Sequence, residues 1–132
     1  MKILFHPTPP EVDVEASAAE YRELSEMLRS GYGSQRADQV SIDAFGRITL
    51  SKVNVSAVPT GRVRITIDPS AAALTITGDL ASLAMLAANL DAVATDEQGG
   101  HLHLDYFPGH SYLDSGSTPT IVNSPHGGMP TQ

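Results

Sequence analysis

The stretch HLHLDYF, residues 101–107, alternates apolar and polar side chains without a break. This period of two is typical of a β-strand with one buried face. We expect the apolar set to lie in a core: Leu102, Leu104 and Tyr106. We expect the polar set to form a row on the opposite face: His101, His103 and Asp105. The stretch therefore predicts a half-buried strand with several ionisable side chains on one surface.

A hairpin and a helix precede this strand. Apolar alternation predicts strands over residues 63–67 and 74–76, and Asp79 is a good cap for a helix that runs to about Thr95. The same order occurs earlier in the chain, with strands over residues 2–6 and 12–14. There Ser17 and Glu20 form a capping box, and Gly31 is a suitable residue to end the helix.

The connecting segments carry weaker signals. Residues 31–37 read as a polar loop, and residues 40–42 and 48–55 read as strands. The apolar positions change parity in the second of these, which predicts a bulge or bend near Lys52. Residues 108–119 are rich in turn residues, and Ile121 with Val122 suggests a last short strand. We expect residues 124–132 to form a flexible tail.

A shift of 62 residues aligns the chain with itself without a gap. Turn, helix cap and apolar stripe keep one register, and Val40 and Ile42 fall on Leu102 and Leu104. The sequence thus predicts one α+β domain over residues 1–123, made of two pseudo-repeated ββαβ(β) units, 1–61 and 62–123. We expect an antiparallel sheet with two helices packed on one face. Whether the sheet is continuous or split stays open.

The net charge of −7 is unevenly distributed. All eight Lys and Arg residues lie at or before Arg64, where eight acidic residues balance them, and seven further acidic residues follow. An acidic surface in the C-terminal half repels nucleic acid and favours a cationic partner. Plain solubility explains the same net charge.

Targeting and redox signals are absent from the sequence. The N-terminal MKILFHPTPP does not fit a secretory signal, and no apolar stretch is long enough to span a bilayer. The chain has no Cys, which excludes disulfides and thiolate metal ligands. We expect a soluble, cytoplasmic protein that does not bind membranes.

The histidines raise the question of a metal site. His101 and His103 at positions i and i+2 could face one ion, with Asp105, His110 or Asp114 completing the set. A solvent-facing row on a strand is the simpler interpretation, because no motif fixes a third ligand. Nucleophile-elbow, phosphate-loop and nucleic-acid signals are missing as well. We therefore expect no catalytic residue, no metal and no cofactor.

The second half resembles the Imm32-type immunity proteins of bacterial polymorphic toxin systems. In that family a "G-D…L…L…L" helix leads into an "H-x-H-L-(D/E)" strand and a "L-x-x-G-S-x-x-L-(I/V)" ending. The matching positions here are Gly78, Asp79, His101, His103, Leu104, Asp105, Leu113, Gly116, Ser117, Ile121 and Val122. The resemblance covers roughly residues 62–122, and Pro119 and Thr120 depart from the pattern of the ending.

The resemblance implies a non-enzymatic protein that binds and neutralises a cognate toxin made by the same cell. Together with the charge, it predicts that an acidic C-terminal surface meets a cationic toxin, such as the substrate channel of a nuclease. The predicted partner-binding residues are His101, His103, Asp105, Tyr106, His110, Tyr112 and Asp114. A small metal-dependent enzyme or metal-binding domain that uses His101 and His103, or a self-associating structural or regulatory module, remains as an alternative. The sequence leaves the oligomeric state open.

Overall fold

A computed structural model describes residues 1–126 and shows an α+β fold of two helices and two β-sheets, which confirms the predicted fold class. The first seven strands are β1 (Lys2–Pro7), β2 (Pro10–Glu15), β3 (Tyr32–Arg36), β4 (Ser41–Ile42), β5 (Ile48–Leu50), β6 (Lys52–Ala57) and β7 (Arg64–Asp68). The last three are β8 (Ala73–Gly78), β9 (His101–Leu104) and β10 (Thr120–Asn123). The helices are α1 (Ala18–Ser30) and α2 (Leu80–Thr95).

Each helix follows an antiparallel hairpin and starts at the predicted cap. In α1, the Ser17 side chain accepts from the Glu20 N–H at 3.1 Å, and the Glu20 carboxylate accepts from the Ser17 N–H at 2.9 Å. The helix ends at Gly31, which is left-handed with φ 79°. In α2, the Asp79 carboxylate accepts from the Ser82 N–H at 2.8 Å. Local chemistry therefore fixes both helices where the sequence places them.

The structure has two sheets, which answers the open question of whether the sheet is continuous or split, and both are mixed where a purely antiparallel sheet was predicted. The six-stranded sheet has the order β4-β5-β1-β2-β10-β9, and the four-stranded sheet has the order β3-β6-β8-β7. Strand β10 pairs parallel with β2, and β6 pairs parallel with β8. Each half of the chain thus contributes a strand to the hairpin of the other half. Local hydrophobic patterns do not encode such a long-range choice of partner.

One extended segment belongs to both sheets. Strand β5 pairs with β1 in the six-stranded sheet, and β6 begins two residues later in the four-stranded sheet. Between them, the Ser51 N–H donates to the Ala72 carbonyl at 2.8 Å. The predicted bend near Lys52 is confirmed, since the chain changes sheets at this point.

The predicted polar loop over residues 31–37 is instead largely strand β3. This strand pairs antiparallel with β6 along its whole length. Its one buried side chain, Gln35, donates through Nε2 to the Glu20 carbonyl in α1 at 3.0 Å. A strand with a buried polar residue and no apolar alternation gives no periodic signal, which explains the error.

The pseudo-repeat agrees with only part of the structure. At a shift of 62 residues β1, β2 and α1 fall closely on β7, β8 and α2, but the segments after the helices do not match. Val40 and Ile42 lie in or beside a two-residue edge strand and are exposed, whereas Leu104 is buried. The repeat and the single-domain boundaries stay predictions. Of the predicted flexible tail, residues 127–132 lie outside the described residues.

Both helices and both sheets enclose one hydrophobic core. Tyr21, Leu24 and Leu28 of α1 pack with Leu83, Leu86 and Leu90 of α2 and with the inward side chains of both sheets. Helix α1 also contacts α2 through an Arg29–Asp91 ion pair at 2.8 Å. The inward face of each sheet is therefore covered, and the outward face of the six-stranded sheet contains the polar residues that matter below.

Candidate functional site

Strand β9 is the edge of the six-stranded sheet and carries the predicted histidine row. Leu104 is buried, whereas His103 is exposed and His101 is half-buried. Leu102 is half-buried and packs against the core, so the predicted alternation holds from Leu102 to Leu104. Tyr106 was expected in the core, and this prediction is wrong. The strand ends at Leu104, and Tyr106 is 40% exposed.

The histidines share their face with side chains of the neighbouring strands. Directly opposed residues in a sheet point to the same side, and the register places His103 opposite Ile121 and Ile121 opposite Asp13. Asp13 in turn lies opposite Leu4 of β1. A second row follows the same path, and its members are His101, Asn123, Glu15 and Lys2.

Strand β2 places three carboxylates at the centre of this surface: Glu11, Asp13 and Glu15. Lys2 is the one Lys or Arg among the rows just described. The Asn123 side chain donates to the Asp13 carboxylate and, at 3.0 Å, to the Val14 carbonyl, which ties β10 to β2. We call Glu11, Asp13 and Glu15, with the flanking His101 and His103, the acidic face.

An open groove lies beside these carboxylates. Its lining includes Leu4, Asp13 and Glu15, together with Met1 and Asp38. The Asp38 N–H donates to the Met1 carbonyl at 2.9 Å, which holds the loop after β3 against β1. Lys2 also lines this groove, which therefore offers apolar, acidic and basic contacts side by side.

The two histidines touch each other at the edge of the acidic face. Their ring centroids are 4.6 Å apart in a T-shaped arrangement, and His101 Nδ1 is buried without a hydrogen-bond partner among the described residues. Within residues 1–126, no group of three or more His, Cys, Asp or Glu side chains is arranged to hold a metal ion. The pair could supply at most two ligands, which does not favour the metal-binding alternative.

Asp105 and Tyr106 follow directly after β9, whereas His110, Tyr112 and Asp114 belong to a different surface. Residues 105–119 leave β9 and run along the outer edge of β7, in the four-stranded sheet. The Val63 N–H donates to the Tyr112 carbonyl at 2.8 Å, and the Asp114 N–H donates to the Val63 carbonyl at 2.7 Å. The Thr118 N–H donates to the Ile65 carbonyl at 2.7 Å. The loop thus covers the edge of that sheet before β10 returns to the first one.

His110 and Tyr112 organise this loop from within. The His110 Nδ1 atom accepts from the N–H groups of Tyr112 and Leu113, both at 3.1 Å. Tyr112 is only 4% exposed, and its hydroxyl accepts from the Asn89 side chain of α2. Burial raises the pKa of the Tyr112 hydroxyl above its ordinary value. Tyr112 is therefore placed to support the loop, and its ring is not displayed on the surface.

Asp114 is bound to the sheet that the loop covers. Its carboxylate accepts from the Gly116 N–H at 2.8 Å and forms an ion pair with Arg64 at 2.9 Å. The Gly116 hydrogen bond is the main cause that lowers the pKa of Asp114. Partial desolvation opposes the shift, and Arg64 adds to it. The side chain is 29% exposed, so it borders the surface while it fastens the loop.

Several acidic residues of the C-terminal half are likewise engaged in local structure. Asp68 accepts from the N–H groups of Ser70 and Ala71 in the β7–β8 turn. Asp79 caps α2, and Asp91 pairs with Arg29. These side chains are spread over a turn, a helix start and a helix side. The charge asymmetry of the sequence does not by itself form one C-terminal acidic surface.

Sequence reasoning missed Glu11, Asp13 and Glu15, because they lie in the half whose charges sum to zero. Their alternation with Val12 and Val14 predicted a strand and gave the right face. The sequence does not show that β2 pairs with β10, a strand from the far end of the chain. This pairing places β2 two strands away from His101 and His103. The parallel β2–β10 pair thus creates the acidic face.

The fold defines an α+β protein with two mixed sheets, one of which presents an open polar face. A family model described as Immunity protein 32 (Imm32) matches residues 73–125, which is less than half of the chain. This match confirms the predicted resemblance over β8, α2, β9, the following loop and β10. No curated protein and no solved structure matches the chain.

The family model covers only part of the acidic face. Strands β9 and β10 lie inside the matched residues, whereas β2 with its three carboxylates lies outside. The face therefore joins the matched region to the part of the chain that the family model does not cover. Among residues 1–126, neither helix has the length and apolar character needed to cross a membrane.

Proposed function

We propose that this chain is an immunity protein that binds and neutralises a cognate bacterial toxin in the cytoplasm. The observation that carries the proposal is the Imm32 match over residues 73–125. Proteins of this kind act by occupying the toxin, so the chain needs a binding surface and no catalytic group of its own.

The acidic face is the surface best suited to this role. Glu11, Asp13 and Glu15 stand on adjacent outward positions of one strand, near the centre of a six-stranded sheet. Complementary charge speeds the encounter of two proteins and orients them. A cationic substrate channel, such as that of a nuclease, is a partner that fits this charge. The face thus replaces the purely C-terminal acidic surface that the sequence suggested.

The binding proposal is tested with the toxin domain encoded by the neighbouring gene. We expect this domain to inhibit growth when expressed alone and to be harmless when this chain is co-expressed. We expect the purified proteins to form a stoichiometric complex at micromolar concentration. Absence of both rescue and complex would sink the proposal.

The role of the acidic face is tested by removing its charge. The triple variant Glu11→Gln, Asp13→Asn, Glu15→Gln should slow association about tenfold at low salt, because steering is lost. Its control is Glu23→Gln, Glu26→Gln, Glu97→Gln, which changes the net charge equally at exposed positions elsewhere. Equal association rates for the two variants would contradict a specific role of the acidic face.

A further inference from the structure

We infer that one end of the six-stranded sheet is an apolar anchor for the same partner, next to the acidic face. This inference rests on the proposed function and adds the kind of contact that holds the complex. The anchor, which we call the apolar rim, consists of Ile42, Phe45, Tyr106 and Phe107. The partner it fits is a protein whose basic surface borders an apolar cleft.

The topology brings the parts of the rim to one end of the sheet. Strand β4 is antiparallel to β5, and β5 is antiparallel to β1, so β4 and β1 run in the same direction. Strand β2 is antiparallel to β1 and parallel to β10, and β10 is antiparallel to β9, so β9 also runs in the direction of β1. The segments that follow β4 and β9 therefore leave the sheet at the same end. Phe45 lies in the first of these segments, and Tyr106 and Phe107 lie in the second.

The rim contains half of the large exposed hydrophobic side chains that the structure describes. Eight large hydrophobic side chains are exposed among residues 1–126, and the rim holds four of them. Phe45 is 83% exposed and Phe107 is 56% exposed. Single exposed hydrophobic residues are ordinary, but two groups of them at the same end of one sheet point to a contact surface.

The Phe45 turn is preorganised for binding. The Asp43 carboxylate accepts from the N–H groups of Phe45, at 2.8 Å, and Arg47, at 3.0 Å. It also forms an ion pair with the Arg47 guanidinium, which lies 5.3 Å from the centre of the Phe45 ring. A side chain held in this way loses little further freedom on binding, and aromatic anchors of this kind dominate many interfaces.

The dimensions and charge of the rim favour one partner that covers both surfaces. Neighbouring strands lie about 4.8 Å apart, so the two turns of the rim are about 20 Å from each other. This length fits within one standard interface of about 800 Å² per partner. Glu11 of the acidic face lies at the same end of the sheet as the rim, and Asp105 directly precedes Tyr106. A basic protein attracted to the acidic face would therefore meet the rim in the same orientation.

The test compares Phe45→Ala and Phe107→Ala with the matched control Tyr32→Ala. Tyr32 is 80% exposed, and its strand β3 is in the other sheet. The probe is the toxin domain of the neighbouring gene, and binding is measured by titration calorimetry with the folded full-length chains. We expect each rim variant to raise Kd at least about tenfold, mainly through faster dissociation, and the control to change it less than about threefold.

The outcomes separate this inference from the proposed function. Failure of the wild-type chain to bind the toxin domain overturns the proposed function, and the inference with it. Tight binding by the wild type and by both rim variants overturns the rim alone. Sedimentation of the free chain gives a further readout, for which we expect a monomer. A dimer that Phe45→Ala dissociates would assign the rim to a second copy and overturn the inference.

Discussion

Tyr21 connects α1 to the six-stranded sheet. Its ring is fully buried, and its hydroxyl donates to the Asn123 carbonyl at 2.6 Å and lies 3.2 Å from the Val14 carbonyl. Burial raises the pKa of this hydroxyl well above its ordinary value, which favours the protonated form that donates the hydrogen bond. One phenol thus holds the two strands of the parallel β2–β10 pair, which create the acidic face.

Removing this hydroxyl should destabilise the fold without disturbing the core. We expect Tyr21→Phe to lower the free energy of unfolding by about 1–2 kcal/mol, because buried carbonyls lose their donor. Urea denaturation measures the change, and Tyr32→Phe at an exposed position is the control. An unchanged free energy of unfolding would show that the hydroxyl does not hold the strands.

Asp114 gives the loop over residues 105–119 a dependence on pH. The pKa of its carboxyl is lowered below its ordinary value of 3.8, chiefly by the Gly116 N–H. A carboxyl whose pKa is lowered by folding stabilises the folded state above its unfolded pKa, and this contribution is lost as the pH falls through the folded pKa.

We therefore expect Asp114→Asn to be less stable than the wild type at pH 7 and nearly equal to it near pH 2. Because the Arg64 ion pair is largely exposed, the difference at pH 7 should be below about 1 kcal/mol. Thermal unfolding at the two pH values measures it. A difference that grows in acid would contradict the assigned role of the carboxylate.

At the scale of elements, the end of α1 depends on Gly31. This residue has φ 79°, and a Cβ placed on it would lie 2.6 Å from Leu80 Cδ2 and 2.9 Å from Ala57 Cβ. Both a left-handed backbone and a close approach of α2 therefore require glycine. Gly46 has the same φ, but a Cβ there would meet nothing within 4 Å.

Alanine substitutions at Gly31 and Gly46 distinguish the cost of backbone strain from the cost of steric crowding. Gly46→Ala should cost about 1 kcal/mol, the usual penalty for a left-handed alanine, and Gly31→Ala should cost more. Chemical denaturation of both variants provides the comparison. Equal losses in the free energy of unfolding would show that Leu80 and Ala57 move aside without cost and that backbone strain alone destabilises both variants.

The elements also show what the sequence could predict. Both hairpins and both helices were predictable, because alternation and the caps at Ser17 and Asp79 are local signals. Strand β3 was not predictable, since Gln35 is its one buried side chain and its partner β6 determines its conformation. The histidine row could be assigned to an outward face, but its acidic neighbours on β2 depend on a pairing made over more than a hundred residues.

At the scale of the whole molecule, the two halves exchange strands. Strands β6 and β3 extend the sheet of the second hairpin, and β10 joins the first hairpin to β9. Neither half contains all the strands of its own sheet. The family match lies within the second half, and the acidic face requires both halves.

Fragments should therefore fail to fold alone. We expect residues 1–61 and 62–132, prepared separately, to lack cooperative thermal unfolding, because each leaves sheet edges and core residues exposed. Mixing them should restore the circular dichroism spectrum of the intact chain. Cooperative unfolding of either fragment alone would show that the exchanged strands are dispensable.

Carboxyl footprinting of the complex tests the central claim most directly. The chain is labelled with a carbodiimide and an amine, with and without the toxin domain of the neighbouring gene, and each carboxylate is quantified by mass spectrometry. If the acidic face binds the toxin, labelling of Glu11, Asp13 and Glu15 falls in the complex, while labelling of Glu23 and Glu26 on α1 is unchanged. Protection of the α1 carboxylates, with the β2 carboxylates labelled as in the free chain, would contradict the account.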